Sequence, residues 1–327
     1  NGSTTGPVIN LGWEPQWLLI RNADRADDWV LIDSMRGIPT SGDGPAVLRP
    51  ESAAVEYAPG STFSQASRVD LTGVGFDVKS GNSRVNGSNQ NMIYVAIRRP
   101  NMATITDATE VFAVNTYGSN RDSSATDQFF AGFTIDMQIR RNIAGNADLA
   151  TGVRLIGIND LDMNNTNAER TDETNNTWDS NTSHGNAAGT STNSFSWMWK
   201  RAKGYFDVVA YTGNGTPSNT VRRDLKHNLG VAPELAILKR RNTTSEWQVA
   251  ADGKELYLNL TLASQGTYTP SSHFNATDFD VEGWVNEANN NVSGSTYIVY
   301  LFATLDGISK VGSVSHSGSS TDVDCGF

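Results

Sequence analysis

The sequence predicts an all-β protein: three tandem β-sandwich domains, jelly-roll-like, related by an internal repeat. Three observations lead there. A ten-residue block opening on glycine recurs as GWEPQWLLIR from Gly12, GFTIDMQIRR from Gly132 and GVAPELAILK from Gly230. Runs such as MIYVAI and TYIVYLFA are rich in β-branched and aromatic residues, the composition of strands. Asn-, Ser- and Gly-rich gaps separate these runs, and no convincing amphipathic helix intervenes.

Each block predicts a turn followed by a short strand. Glycine tolerates positive φ, and at the fourth position, which holds Pro15, Ile135 or Pro233, proline stops a helix from forming across the entry. A polar residue follows (Gln16, Asp136, Glu234), then a large apolar one (Trp17, Met137, Leu235), and the block ends on Arg21, Arg141 or Lys239. The first and third copies agree furthest: Trp29 and Trp247 each lie 17 residues after their glycine, and Phe76-Asp77-Val78 matches Phe279-Asp280-Val281. Asn86, Ser88 and Ile93 align with Asn291, Ser293 and Ile298, while FSWMWKRA from Phe195 stands in the second copy where MIYVAIRR stands in the first. The expected domains are residues 1–105, 106–205 and 206–309, with 310–327 opening a fourth repeat. Repetition predicts units stacked along an axis, each touching mainly its neighbours. A matching phase at both ends suggests a segment of a longer polypeptide.

Two insertions interrupt the pattern. Met35 to Val69 is polar and Pro/Gly-rich, so it is expected to cover an edge or form a surface loop, packing or meeting a partner. Asn159 to Ser194 is almost free of aliphatics and is expected to need support from neighbouring subunits or an ion.

A net charge of −10 argues against nucleic acid and anionic membrane as partners, both of which select a basic face. No apolar run approaches the ~20 residues of a membrane span, so no membrane insertion is expected. One cysteine, Cys325, excludes a disulfide framework within the chain.

Candidate site residues are few. Asp160, Asp162 and Asn164 alternate as oxygen ligands do in Ca²⁺ loops, without the glycine and distal glutamate of an EF-hand; an Asx turn is the competing reading. No other cofactor is expected. Trp178, with Asp179 and Asn181, is the candidate for stacking on a sugar ring. Asp278, Asp280 and Glu282 share a strand face, as a metal or acid/base pair would need, or as a solvated face. His227 and His316 sit near repeat junctions, where turn hydrogen bonds are expected of them. Trp29 and Trp247 are expected as core anchors, and Trp197 with Trp199 on one face of a strand. Nothing here composes a nucleophile elbow or a zinc site, and no enzyme is expected.

The strings NLGWEPQWLLIR, DSMRGI, YVAIRRPNMA, SWMWKRAKGYFDVVAYTGNGT, HNLGVAPELAILKRR and YLFATLDGISKVGS resemble a recurring segment of tail-fibre and related virion proteins of tailed bacteriophages, especially those of marine bacteria and cyanobacteria. The resemblance spans nearly the whole chain except the Asn/Thr-rich middle interior. It implies a virion component at a tail or other appendage, a trimer or other homo-oligomer that meets other virion proteins and a host-surface glycan or protein. A lectin-like receptor-binding module, a polysaccharide-degrading tailspike and a capsid decoration protein are the alternatives. The resemblance carries no catalytic residues.

Overall fold

The computed structural model describes residues 1–38, 44–98, 104–117, 129–171, 176–178, 180–185, 193–215, 223–281, 290–316, 318, 320 and 322–327. It is all-β: antiparallel sheets face one another as sandwiches, and the helices are single turns such as Thr62–Ala66.

The three glycine-led blocks do equivalent work. Gly12, Gly132 and Gly230 have φ of +77°, +80° and +76°, a turn geometry that a side chain would strain. Each is followed by a leading strand: Pro15–Asn22, Met137–Asn142 and Leu235–Arg240. Every leading strand lies between a flanking strand and a closing strand. The flanking strands are Val30–Asp33, Ala150–Val153 and Trp247–Ala251. The closing strands are Met92–Arg98, Ser194–Trp199 and Thr296–Phe302. Register is kept as well, since Trp17, Met137 and Leu235 stand opposite Ile97, Trp199 and Phe302.

An entering strand completes the second and third sheets. Phe112–Thr116 pairs along the outer edge of Ser194–Trp199, and Phe206–Thr212 along that of Thr296–Phe302. Each follows the preceding copy's closing strand in sequence but joins the next copy's sheet, so consecutive copies interlock. In the first sheet the closing strand remains at the edge.

Repetition also explains the basic residue that ends each block. Lys239 stands directly across from Trp247, its ammonium 6.0 Å from the ring, and the Arg21 guanidinium sits 5.1 Å from the Trp29 ring. In the middle copy Leu149 occupies the tryptophan's position and Arg141 turns to solvent. Trp247 is fully buried as a core anchor, whereas Trp29 is only half-buried beneath Arg21.

The six-stranded sheets of the second and third copies are each covered by a two-stranded one, and in the first copy two three-stranded sheets face each other. Leu238, Val299 and Leu301 pack against Phe279 from the pair Asp224–Lys226 and Asp278–Asp280. Met198 packs with Phe129 and Trp178 in the middle copy. Leu18 and Ile20 join a cluster with Phe76 and Val78, and that cluster runs on through Met137, Trp247 and Tyr300, drawing on all three copies. Stacking along an axis is not what packs here: the first and third copies meet directly, with Gly73 seated against the Lys226 carbonyl.

Both insertions are held inside the chain. Met35–Val69 was expected outside the core, but Ile38 and Val47 are buried, Val47 exchanges backbone hydrogen bonds with Tyr57, and Leu48 pairs with Leu31. It covers the outer edge of Val30–Asp33 while seating apolar side chains that its Pro/Gly-rich composition obscures. The described part of the middle insertion is held against the third copy: Trp247 Nε1 donates to the carbonyls of Asp162 and Asn165, and Arg241 pairs with Glu169 at 2.7 Å.

Candidate functional site

A cleft of about 1230 Å³ opens where the first and third copies meet, with the middle copy's Arg170 on its rim. Two small sheets and the strand Phe206–Thr212 contribute to its walls. In the hairpin of Val69–Thr72 and Gly75–Val78, Asp70 stands directly opposite Asp77. Facing carboxylates repel, and a cation flanks each: Arg68 lies 3.2 Å from Asp70, and Lys79 lies 3.2 Å from Asp77. On the third copy, Lys226 holds Asp278 at 2.7 Å, and Arg223 donates to Asn291 Oδ1 and the Thr212 carbonyl with its guanidinium 5.2 Å from the Tyr211 ring. Arg170 reaches back to Asp160 at 3.0 Å and Asp162 at 2.5 Å.

The lining therefore mixes paired charges with an Arg223 guanidinium held by an amide oxygen and a backbone carbonyl. Burial pushes the Asp70 carboxyl above its ordinary value, against the pull of Arg68 and Lys79. Burial acts on Asp278 in the same sense, but hydrogen bonds from Lys226, Asn275 and Thr277 outweigh it and hold that carboxyl low. Such a surface offers both hydrogen-bond donors and acceptors to a polar ligand.

The sequence candidates fall elsewhere. Trp178 is 3% exposed, its Nε1 donates to the Gly157 carbonyl at 2.7 Å, and its ring stacks near His184 beneath the Arg154 guanidinium. A buried indole presents no face to a sugar, so the stacking role is corrected to a core role. Apolar support comes from Phe129 and Met198, which are distant in sequence. Asn181 is exposed on a bend, and Asp179 lies outside the described residues. Asp160 and Asp162 do share one side of the strand Asn159–Asp162, but Arg170 supplies their positive charge. Asn164 turns away, accepting from Leu149 N and donating to Asp148. Among the described residues no group of three His, Cys, Asp or Glu converges as a metal site.

Asp278 and Asp280 are buried rather than solvated, paired with Lys226 and with His273 at 3.0 Å; Glu282 lies outside the described residues. His227 and His316 each accept a turn hydrogen bond, from Leu229 N and Gly318 N. His184 meets Ser196 Oγ at 3.0 Å, but both are fully buried, out of any substrate's reach. Trp197 and Trp199 share one face of their strand, with Met198 buried on the other.

The strongest ionic site escaped the motifs. The Arg201 guanidinium, buried, makes a two-pronged contact with Glu14 at 2.8 Å for each prong and donates Nε to Asp207 at 2.5 Å. Its backbone N–H donates to Asp136 at 2.7 Å. Burial opposes its charge, yet Asp207, Glu14 and Asp136 together hold the guanidinium far above its ordinary value. Carboxylates from all three copies thus close on one arginine. A signal existed in the repeat: where FSWMWKRA places Arg201, MIYVAIRR of the first copy also carries an arginine, Arg98, while in the third copy Thr304 bonds Glu234 through N–H and Oγ1.

Interlocked antiparallel sheets, a self-neutralised polar cleft and a buried ionic junction define a β-rich module protein. The chain belongs to the family described as a domain of unknown function (DUF7483), whose model matches residues 1–100 and 107–327. No curated protein and no solved structure matches it.

Proposed function

We propose that the protein is a structural component of a phage virion appendage, a tail fibre, which builds the fibre by homo-oligomerising and contributes to host-surface attachment. The observation that carries this reading is the interlock: the strand leaving one copy completes the sheet of the next. Tension along such a chain is borne by rows of backbone hydrogen bonds in shear rather than by flexible linkers. The resemblance of NLGWEPQWLLIR and its companion strings to tail-fibre segments supplies the setting. Non-catalytic action suits it, because the acidic pairs Asp70/Asp77 and Asp160/Asp162 are matched by neighbouring cations. Antibody raised against the chain should decorate tail appendages of purified particles in negative-stain images; particles free of label and of its peptides would overturn the assignment.

A second reading, a glycan-binding module, is favoured by the polar cleft. Immobilised host-surface polysaccharide should retain the protein, and Arg223→Ala together with Asp77→Asn should abolish retention. Unchanged retention by that variant removes the cleft from consideration.

A further inference from the structure

We propose that the cleft between the first and third copies binds an anionic polysaccharide, a hexuronate-type chain whose carboxylates meet the guanidinium and ammonium groups along its walls. This deepens the glycan-binding reading above and rests on it, because it assigns the charge of the ligand that the same cleft takes.

The cations that line the cleft come from every copy. Arg68 and Lys79 flank the first copy's hairpin, Arg170 belongs to the second copy's strand Arg170–Thr171, and Arg223 and Lys226 belong to the third. Lys79 N donates to the Arg68 carbonyl at 3.0 Å, so the two lie across from each other, on the hairpin face that carries Asp70 and Asp77. Gly73, in the turn of that hairpin, abuts the third copy so closely that an added Cβ would lie 2.5 Å from the Lys226 carbonyl oxygen. The two walls are thus fixed to one another at the hairpin's tip.

Depth separates the two signs of charge. The Arg170 side chain is 48% exposed, while its partners Asp160 and Asp162 are at 0% and 3%. Lys226 is 46% exposed over Asp278 at 11%, and Arg68 is 21% exposed over Asp70 at 6%. In each of these pairs the carboxylate is sunk and the cation reaches outward, so a ligand entering from solvent meets positive charge first. Lys79 and Asp77 are equally exposed. Arg223 adds a guanidinium that donates to neutral oxygens, Asn291 Oδ1 and the Thr212 carbonyl. Two further carboxylates line the cleft: Glu169, which the buried Arg241 holds at 2.7 Å, and Asp224, which stands exposed beside Arg223 and opposes an anion at that point.

A chain suits this layout better than a single small anion. The volume, about 1230 Å³, exceeds the roughly 1,000 Å³ at the upper end of pockets for drug-sized ligands. The cations are spread over three copies, so successive charged sugars can each meet one of them, and a planar carboxylate accepts two parallel hydrogen bonds from a guanidinium. Sugar hydroxyls find partners in Thr72 and Thr171, which also line the cleft. The whole chain carries a net charge of −10, so a polyanion retained by it is held by a local site and not by general attraction.

Polygalacturonate and the same polymer fully methyl-esterified, titrated against the 327-residue chain, separate charge from sugar. The charged polymer should bind, more weakly as salt rises, and the neutral ester should bind about tenfold less tightly or worse. Arg170→Gln with Lys226→Gln should weaken binding of the charged polymer about tenfold, while Arg25→Gln, outside the cleft, should leave it unchanged. Should the double variant fail to fold, Thr171→Glu keeps every ion pair and adds a carboxylate at an exposed position of the cleft, with the same loss expected. Equal affinity for the ester, or binding undiminished by these variants, overturns the proposal. Equal affinity for single-stranded DNA overturns it in favour of nucleic acid. Host polysaccharide retained by a chain that ignores polygalacturonate rejects the anionic class and leaves the glycan-binding reading standing; loss of both removes both.

Discussion

Among single residues, Arg201 carries the clearest consequence. Its guanidinium pairs with both the buried Glu14 and the buried Asp207 carboxylates. Removing one member of a buried ion group strands the others in a low dielectric, a loss of roughly 3–5 kcal/mol. Arg201→Met is therefore expected to lower urea-denaturation stability by about that amount, far more than Arg25→Met at an exposed pair. Asp70 makes a prediction in pH. Its folded carboxyl titrates above the unfolded value of 3.8, so the unfolded chain releases that proton first as pH rises. Stability from this group is thus intact below the unfolded value, declines as pH climbs toward the folded one, and stays reduced beyond it. Asp70→Asn should accordingly raise the Tm at neutral pH, with the gain closing as pH falls through the ordinary carboxylate range. Neither residue stood out in the sequence: a lone arginine or aspartate among 60 charged residues, 25 basic and 35 acidic, shows its partners only once they converge.

For elements, the glycine-led turn was legible because it depends on backbone conformation, which glycine alone reports. Gly132→Ala must hold φ near +80° and should cost about 1 kcal/mol by chemical denaturation. Gly145→Ala, free of that requirement and with no atom within 4 Å of its built Cβ, should be nearly neutral. Strand existence was equally visible from β-branched and aromatic runs. What each strand paired with was not: Phe206–Thr212 reads as a strand, but its choice of the following sheet is made by the turn at Gly204 and by the free edge waiting there. The buried indole of Trp178 shows the same limit, since Phe129 and Met198 reach it only through the fold.

For the molecule as a whole, the shared cluster through Leu18, Met137 and Trp247 makes the three copies depend on one another. Unfolding should follow a single calorimetric transition whose van't Hoff and calorimetric enthalpies agree, and Arg201→Met should lower that transition without splitting it. Two well-separated transitions would show that the copies melt as independent units.

Local chemistry alone determined that this chain is β-rich and that a glycine turn precedes each leading strand, because turn preference and strand composition act over a few residues. Only the tertiary structure decided that the copies interlock, that Arg201 gathers carboxylates from all three, and that a polar cleft lies between the first and the last. Those outcomes depend on burial and on contacts between residues far apart in the chain, where the free energy of a charge or an indole is set by neighbours that no short stretch of sequence contains.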